Sequence, residues 1–153
     1  MKLNAPRADE HSDVKCTIVS LLVLSSLVTP LRSVAEPTLL VPETTFAGAV
    51  DLAGGQSAQF LVEVPDNAYA IRFELDRAQA DLDLLLEGAN GELLALSESE
   101  RYNEELFLSR ITDPALSSGV FTLSVLYQYV DRPVVDGREL SSIPFDVRFV
   151  VVE

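Results

Sequence analysis

The residues best equipped for chemistry are four oxygen donors in two short runs: Asp81 and Asp83 on either side of Leu82, and the Asn103-Glu104 pair further along the chain. Carboxylates and side-chain amides are the hard ligands that calcium takes. Asp81, Asp83, Asn103 and Glu104 are therefore the candidate metal set, a stabilising calcium site joining the Asp-x-Asp strand to the Asn-Glu turn. Read for catalysis, Asp83 and Glu104 are instead a carboxylate pair for a small hydrolase. The plainer expectation is structural, and it is preferred. Leu82 and Leu84 point into a core, so Asp81 and Asp83 point out to water, and Asn103 caps a turn.

Other chemistry is excluded by what the chain lacks beyond residue 35. The only His (His11), the only Cys (Cys16), the only Met and both lysines (Lys2, Lys15) all precede Glu36. The remainder cannot build a Ser-His-Asp or Cys-His arrangement, a P-loop, a Schiff base or a His/Cys zinc site. It holds seven arginines against 21 carboxylates, within a full-chain net charge of −13. Such acidity argues against nucleic acid, which selects basic patches. No Trp is present to serve as a sugar platform, and no disulfide can form, so the core alone must hold the fold.

The first 35 residues have the composition of a Sec-type signal peptide. Cys16 to Val28 carries no charge, is too short for a comfortable membrane span, and follows directly on Lys15. Thr29-Pro30 then breaks the helix, and Ser33-Val34-Ala35 offers small residues for a peptidase, so cleavage is expected after Ala35. Residues 1–15 balance Lys2, Arg7 and Lys15 against Asp9, Glu10 and Asp13. Because a basic start is the norm, translation from Val14 is the simplest resolution. Cys16 precedes the apolar core rather than following it, so no lipid anchor is expected.

From Phe46 onward apolar residues recur every second position, the pattern of strands with one buried face. Tyr69, Ile71, Phe73 and Leu75 form one row, and Leu82, Leu84 and Leu86 another. Phe121, Leu123, Val125, Tyr127 and Tyr129 form a third, and Phe145, Val147, Phe149 and Val151 a fourth. Turn signals separate the rows at Gly54-Gly55, Pro65-Asp66-Asn67, Asn90-Gly91, Ser117-Ser118-Gly119 and Asp136-Gly137, with Asn90-Gly91 the sharpest hairpin. The expected strands are 46–52, 56–64, 68–76, 81–87, 92–97, 104–110, 119–130 and 143–152. The fold class is all-β, an antiparallel, jelly-roll-like β-sandwich of about eight strands behind a hydrophobic signal-peptide helix. Residues 36–45 read as an extended linker or an edge segment, 46–153 as the domain, and 131–142 as a hairpin tip or contact loop.

The stretch from Gln59 to Arg110 resembles the bacterial pre-peptidase C-terminal domain, a β-sandwich module behind many secreted proteases. The similarity is carried by Val64-Pro65, Ile71 to Leu75, Asp81-Leu82-Asp83-Leu84, Ser97 to Ser99 and Asn103-Glu104, with Gly119 to Tyr129 matching the family's Gly-x-Tyr-x-Val-x-Val strand. It extends from about Phe46 to Val152. An aromatic residue often follows Asp-x-Asp-Leu in the family, where this chain has Leu85. In collagen-binding relatives an acidic segment before the first strand helps to bind calcium, and here that segment offers only Glu36 and Glu43. The resemblance implies a secreted or periplasmic, noncatalytic module standing without a protease domain. Its expected partner is an extracellular protein or polysaccharide surface, or a separately encoded protein that it assists, with no nucleic acid and no membrane span in the mature form. The alternatives are the carboxylate-dependent hydrolase and a structural subunit that assembles through edge strands.

Overall fold

The computed structural model describes residues 36–99, 101–113 and 116–153. The expected signal peptide, with its start at Val14 and cleavage after Ala35, lies outside them. The described residues form β1 (Thr38–Leu40), β2 (Thr45–Asp51), β3 (Ser57–Val64), β4 (Ala70–Asp76), β5 (Asp83–Glu87), β6 (Leu93–Ser97), β7 (Glu104–Ser109), β8 (Gly119–Leu126), β9 (Val134–Val135), β10 (Arg138–Glu139) and β11 (Ser142–Val152). No helix among them is long and apolar enough to cross a membrane.

Two sheets face each other, one ordered β1-β3-β8-β5-β6 and the other β2-β11-β4-β7. Strand β5 pairs with β6, β4 with β7, β3 with β8 and β2 with β11, all antiparallel. The chain is thus one long hairpin rolled over itself, which is a jelly roll. Its tip is the turn at Asn90-Gly91. Gly91 takes φ +76°, a conformation that costs a residue with a Cβ but not glycine. The Gly91 amide donates to the Gly88 carbonyl at 3.0 Å, and the Gly88 amide to the Glu92 carbonyl at 2.9 Å.

The two-residue rows meet between the sheets. Ile71, Phe73 and Leu75 of β4, Leu84 and Leu86 of β5, Leu123 and Val125 of β8, and Val147 and Phe149 of β11 are all buried. Phe73 and Phe149 are cross-strand partners with stacked rings, 5.1 Å between centroids. Phe60 of the first sheet packs edge-on against Phe46 and Phe145 of the second, at 5.2 and 6.1 Å. A β-carbon at Gly48 would come within 2.7 Å of the Phe145 ring, so glycine is what lets that ring lie across β2.

All eight expected strands are present, with displaced ends and three short additions. Of the two readings of 36–45, extended linker or edge segment, Thr38–Leu40 takes the second. Thr38–Leu40 pairs in parallel with Phe60–Val62, Leu40 is buried, and the Glu43 amide donates to the Phe149 carbonyl at 2.8 Å. Strand β8 stops at Leu126 rather than at 130, because the buried Tyr127 donates its hydroxyl to the Asp131 carbonyl at 2.6 Å and turns the chain away. Tyr69 and Tyr129, placed in core rows by parity, are exposed at row ends. Residues 131–142 hold the β9–β10 hairpin, in which Asp136 (φ 50°) and Gly137 (φ 76°) give the paired positive angles of a type I′ turn.

Phe149→Ala removes a ring packed on both sides, and should lower unfolding free energy by about 3–5 kcal/mol. Urea unfolding followed by tyrosine fluorescence checks this. A loss under about 1 kcal/mol would mean that the aromatic pair does not organise the core.

Candidate functional site

The candidate donors lie where β5 and β7 begin, at one end of the sandwich. Asp83 opens β5 opposite Leu126, the last residue of β8. Glu104 opens β7 on the same parity as the buried Leu106 and Leu108, so it points between the sheets. Ser97 at the end of β6 and Ser99 in the following loop each donate a hydroxyl to one Glu104 carboxylate oxygen. These bonds tie the two sheets together along an edge where no backbone ladder does.

Asp83 meets little water. It is 8% exposed, and Glu104 is 4% exposed. Strand alternation sets Asp83 opposite the buried Leu82 and Leu84, but its outer side is little exposed, because there it accepts a hydrogen bond from Gln128 and shares a hollow with Gln128 and Tyr129. Asp81, Asp83, Glu98, Ser99, Gln128 and Tyr129 line one open hollow there. Tyr129 donates its hydroxyl to Asp81 Oδ2 at 2.6 Å, while Asp81 Oδ1 is buried without a hydrogen-bond partner. The Gln128 amide donates to Glu98 Oε1 at 3.3 Å.

Burial pushes the Asp83 carboxyl up from 3.8 to about 6, helped by the neighbouring charges of Asp81, Glu104 and Glu98 and opposed by a hydrogen bond from Gln128. The Tyr127 phenol is also raised, first by burial and then by Asp131 and Asp81. The structure thus gathers acidic groups with little nearby positive charge to offset them.

Asp81, Asp83, Asn103 and Glu104 do not form a single donor set. Asn103 is exposed and lines, with Glu104, Glu74, Asp76, Arg101 and Glu105, a hollow beside the one that holds Asp81 and Asp83. Both Glu104 oxygens are occupied by serines, and one Asp81 oxygen by Tyr129. Among the described residues no group of three or more His, Cys, Asp or Glu side chains is placed to hold a metal ion. In this arrangement Asp81 and Asp83 stand in one hollow and Asn103 and Glu104 in the next. Sequence reading overlooked Glu98, Gln128 and Tyr129 as parts of the hollow. The burial of Glu104 carried a readable signal, since it keeps step with Leu106 and Leu108, whereas the cover over Asp83 carried none.

On the outer face of the second sheet the arginines are paired rather than free. Arg148 meets Glu43 at 2.7 Å and Glu74 at 3.5 Å, Arg72 meets Glu74 at 2.8 Å, and Arg77 meets Asp146 at 3.1 Å. Exposed pairs of this kind contribute about 1 kcal/mol or less each.

No protein-family model matches the sequence, and no curated protein is similar to it at a significant level. Among solved structures the fold is similar to the pre-peptidase C-terminal domain of a collagenase from Bacillus anthracis, with a TM-score of 0.53 and 14% identity. The match covers 74% of this chain and 94% of that domain. At this identity the likeness establishes a shared fold.

Asp83 gives a pH signature whose sign is fixed. Its folded pKa lies above its ordinary value, so its contribution to stability is complete below about 3.8 and is lost as pH rises through about 6. Asp83→Asn should remove that loss: against wild type, the variant's urea midpoint should rise progressively between these two pH values and stay higher at neutral pH. Wild-type and variant profiles that run parallel throughout would refute the buried, repelled carboxyl.

Proposed function

We propose that residues 36–153 are an exported, noncatalytic binding module of pre-peptidase C-terminal type, which docks on an extracellular protein or polysaccharide or assists a separately encoded partner. What carries the reading is the jelly roll shared with the collagenase domain over nearly all of that domain's length. The residue inventory agrees with it. Beyond residue 35 there is no His, Cys or Lys, so the usual nucleophiles and bases are missing. The carboxylate-pair hydrolase finds little support, because serine hydroxyls hold both Glu104 oxygens in a buried position. An acidic surface keeps such a module soluble and away from anionic polymers.

Export is the compartment half of the proposal. The protein recovered from the secreted or periplasmic fraction should have an intact mass that begins at Glu36. A mature chain that still contains Cys16 would overturn it.

The binding half is tested by capture from the host's own extracellular fraction, with calcium and with chelator. Retention of a specific component under both conditions is expected, together with a thermal midpoint that millimolar calcium does not move, since serine hydroxyls hold both Glu104 oxygens and Tyr129 holds one oxygen of Asp81. Turnover of a glycoside or peptide substrate that disappears in both Asp83→Asn and Glu104→Gln would replace the module with an enzyme. A rise of several degrees on calcium addition would show that the loop from Ser97 to Glu104 rearranges around the ion.

A further inference from the structure

Strand β6 is the outer strand of the innermost hairpin, hydrogen-bonded to β5 on one side, and it ends its sheet. Edge strands in natural proteins are usually protected by charge, brevity or a cover. The other edges follow that rule. The outer side of β3 is covered by β1, itself only three residues long. Strand β7 exposes Phe107 but sets the exposed Glu105 two positions before it, and β2 ends in Asp51 and exposes no large apolar side chain.

Strand β6 is protected only by its five-residue length and a register shift at Leu94, opposite Leu86 and Glu87. Its sequence, Leu93-Leu94-Ala95-Leu96-Ser97, carries no charge. Leu94 and Ala95 pack against the core, while Leu93 is 58% and Leu96 38% exposed. Acidic groups stand at both ends, with exposed Glu92 immediately before the strand and exposed Glu98 immediately after it. Behind Glu98 lie Asp81 and Asp83 in the same hollow.

We propose that β6 is an open edge that takes up an extended segment of a partner protein, with an apolar middle and arginine or lysine at its ends, by backbone hydrogen bonding. Strand addition satisfies the outward-facing amides and carbonyls of β6, and alternate apolar side chains of the incoming segment cover Leu93 and Leu96. The basic ends meet Glu92 and Glu98. A second copy of this chain is a poor occupant. Antiparallel self-pairing centred on Ala95 sets Glu92 of one copy against Glu98 of the other at both ends, and like charges directly opposite are destabilising. The inference rests on the binding-module reading and narrows its partner to a protein.

The test uses the full chain as its host processes it, with two capped synthetic peptides as probes. Each alternates valine and threonine, one with arginine at both ends and the other with glutamate. The arginine peptide should bind about tenfold or more tightly than its twin at low salt, with the preference fading as ionic strength rises. Hydrogen exchange should slow at the amides of Leu93–Ser97. Leu96→Lys, a change at an exposed position, should weaken the arginine peptide about tenfold. Glu92→Lys combined with Glu98→Lys should reverse the preference between the twins. Equal binding of the two peptides, protection at another strand, or a concentration-dependent dimer that itself protects 93–97 would each overturn the proposal. If Leu96→Lys leaves capture from the extracellular fraction intact and neither peptide binds, the edge is refuted while the binding module stands. Loss of all capture by wild type removes the module itself.

Discussion

Every feature of this domain depends on nested antiparallel pairing, in which the first long strand bonds the last, the second bonds the last but one, and so on down to the turn at Asn90-Gly91. Pairing of this kind brings distant residues together only if the two-residue rows stay in phase. A slip of one residue anywhere would move a whole row from the core to water. The alignment of Phe73 with Phe149, and the ring of Phe145 lying against Gly48, are the places where packing enforces that phase. Contacts so remote in sequence also imply a slow-folding domain, because loop closure comes before the reward of burial.

The same topology explains where the acidic groups collect. The starts of β5 and β7 and the ends of β6 and β8 all lie at one end of the sandwich, so Asp83, Glu104, the Ser97–Ser99 segment and Tyr129 converge without being neighbours in the chain. Inside the edge, Glu104 is a fastener whose two oxygens each accept a serine hydroxyl. Asp83 has no such compensation beyond Gln128, and at neutral pH its charge works against folding. The domain thus holds one satisfied and one strained carboxylate side by side.

The alternation was readable because strands with one buried face write their geometry into every second residue, and this placed β2 to β8 and β11 to within a few positions. The strand ends were not readable, because side chains acting across the fold decide them: Tyr127 turns β8 aside by bonding the Asp131 carbonyl. Parity placed Glu104 correctly between the sheets and Asp83 on the other side from Leu82 and Leu84, but it could not show how little of Asp83 the hollow shared with Gln128 and Tyr129 leaves exposed. Nothing in Glu36 to Thr45 announces pairing, as a parallel strand of three residues is too short to show a period. Asn103 and Glu104 line one hollow and Asp81 and Asp83 its neighbour, a separation that linear spacing does not encode.

Strand β1 has a mechanical meaning. It runs parallel to β3, with Thr38, Leu39 and Leu40 registered against Phe60, Leu61 and Val62. Tension arriving through residue 36 therefore pulls β1 along its own axis, loading its hydrogen bonds in shear together rather than peeling them apart in turn. Loss of β1 would uncover the side of β3 that it now covers, while the pairing of β3 with β8 on the other side is untouched.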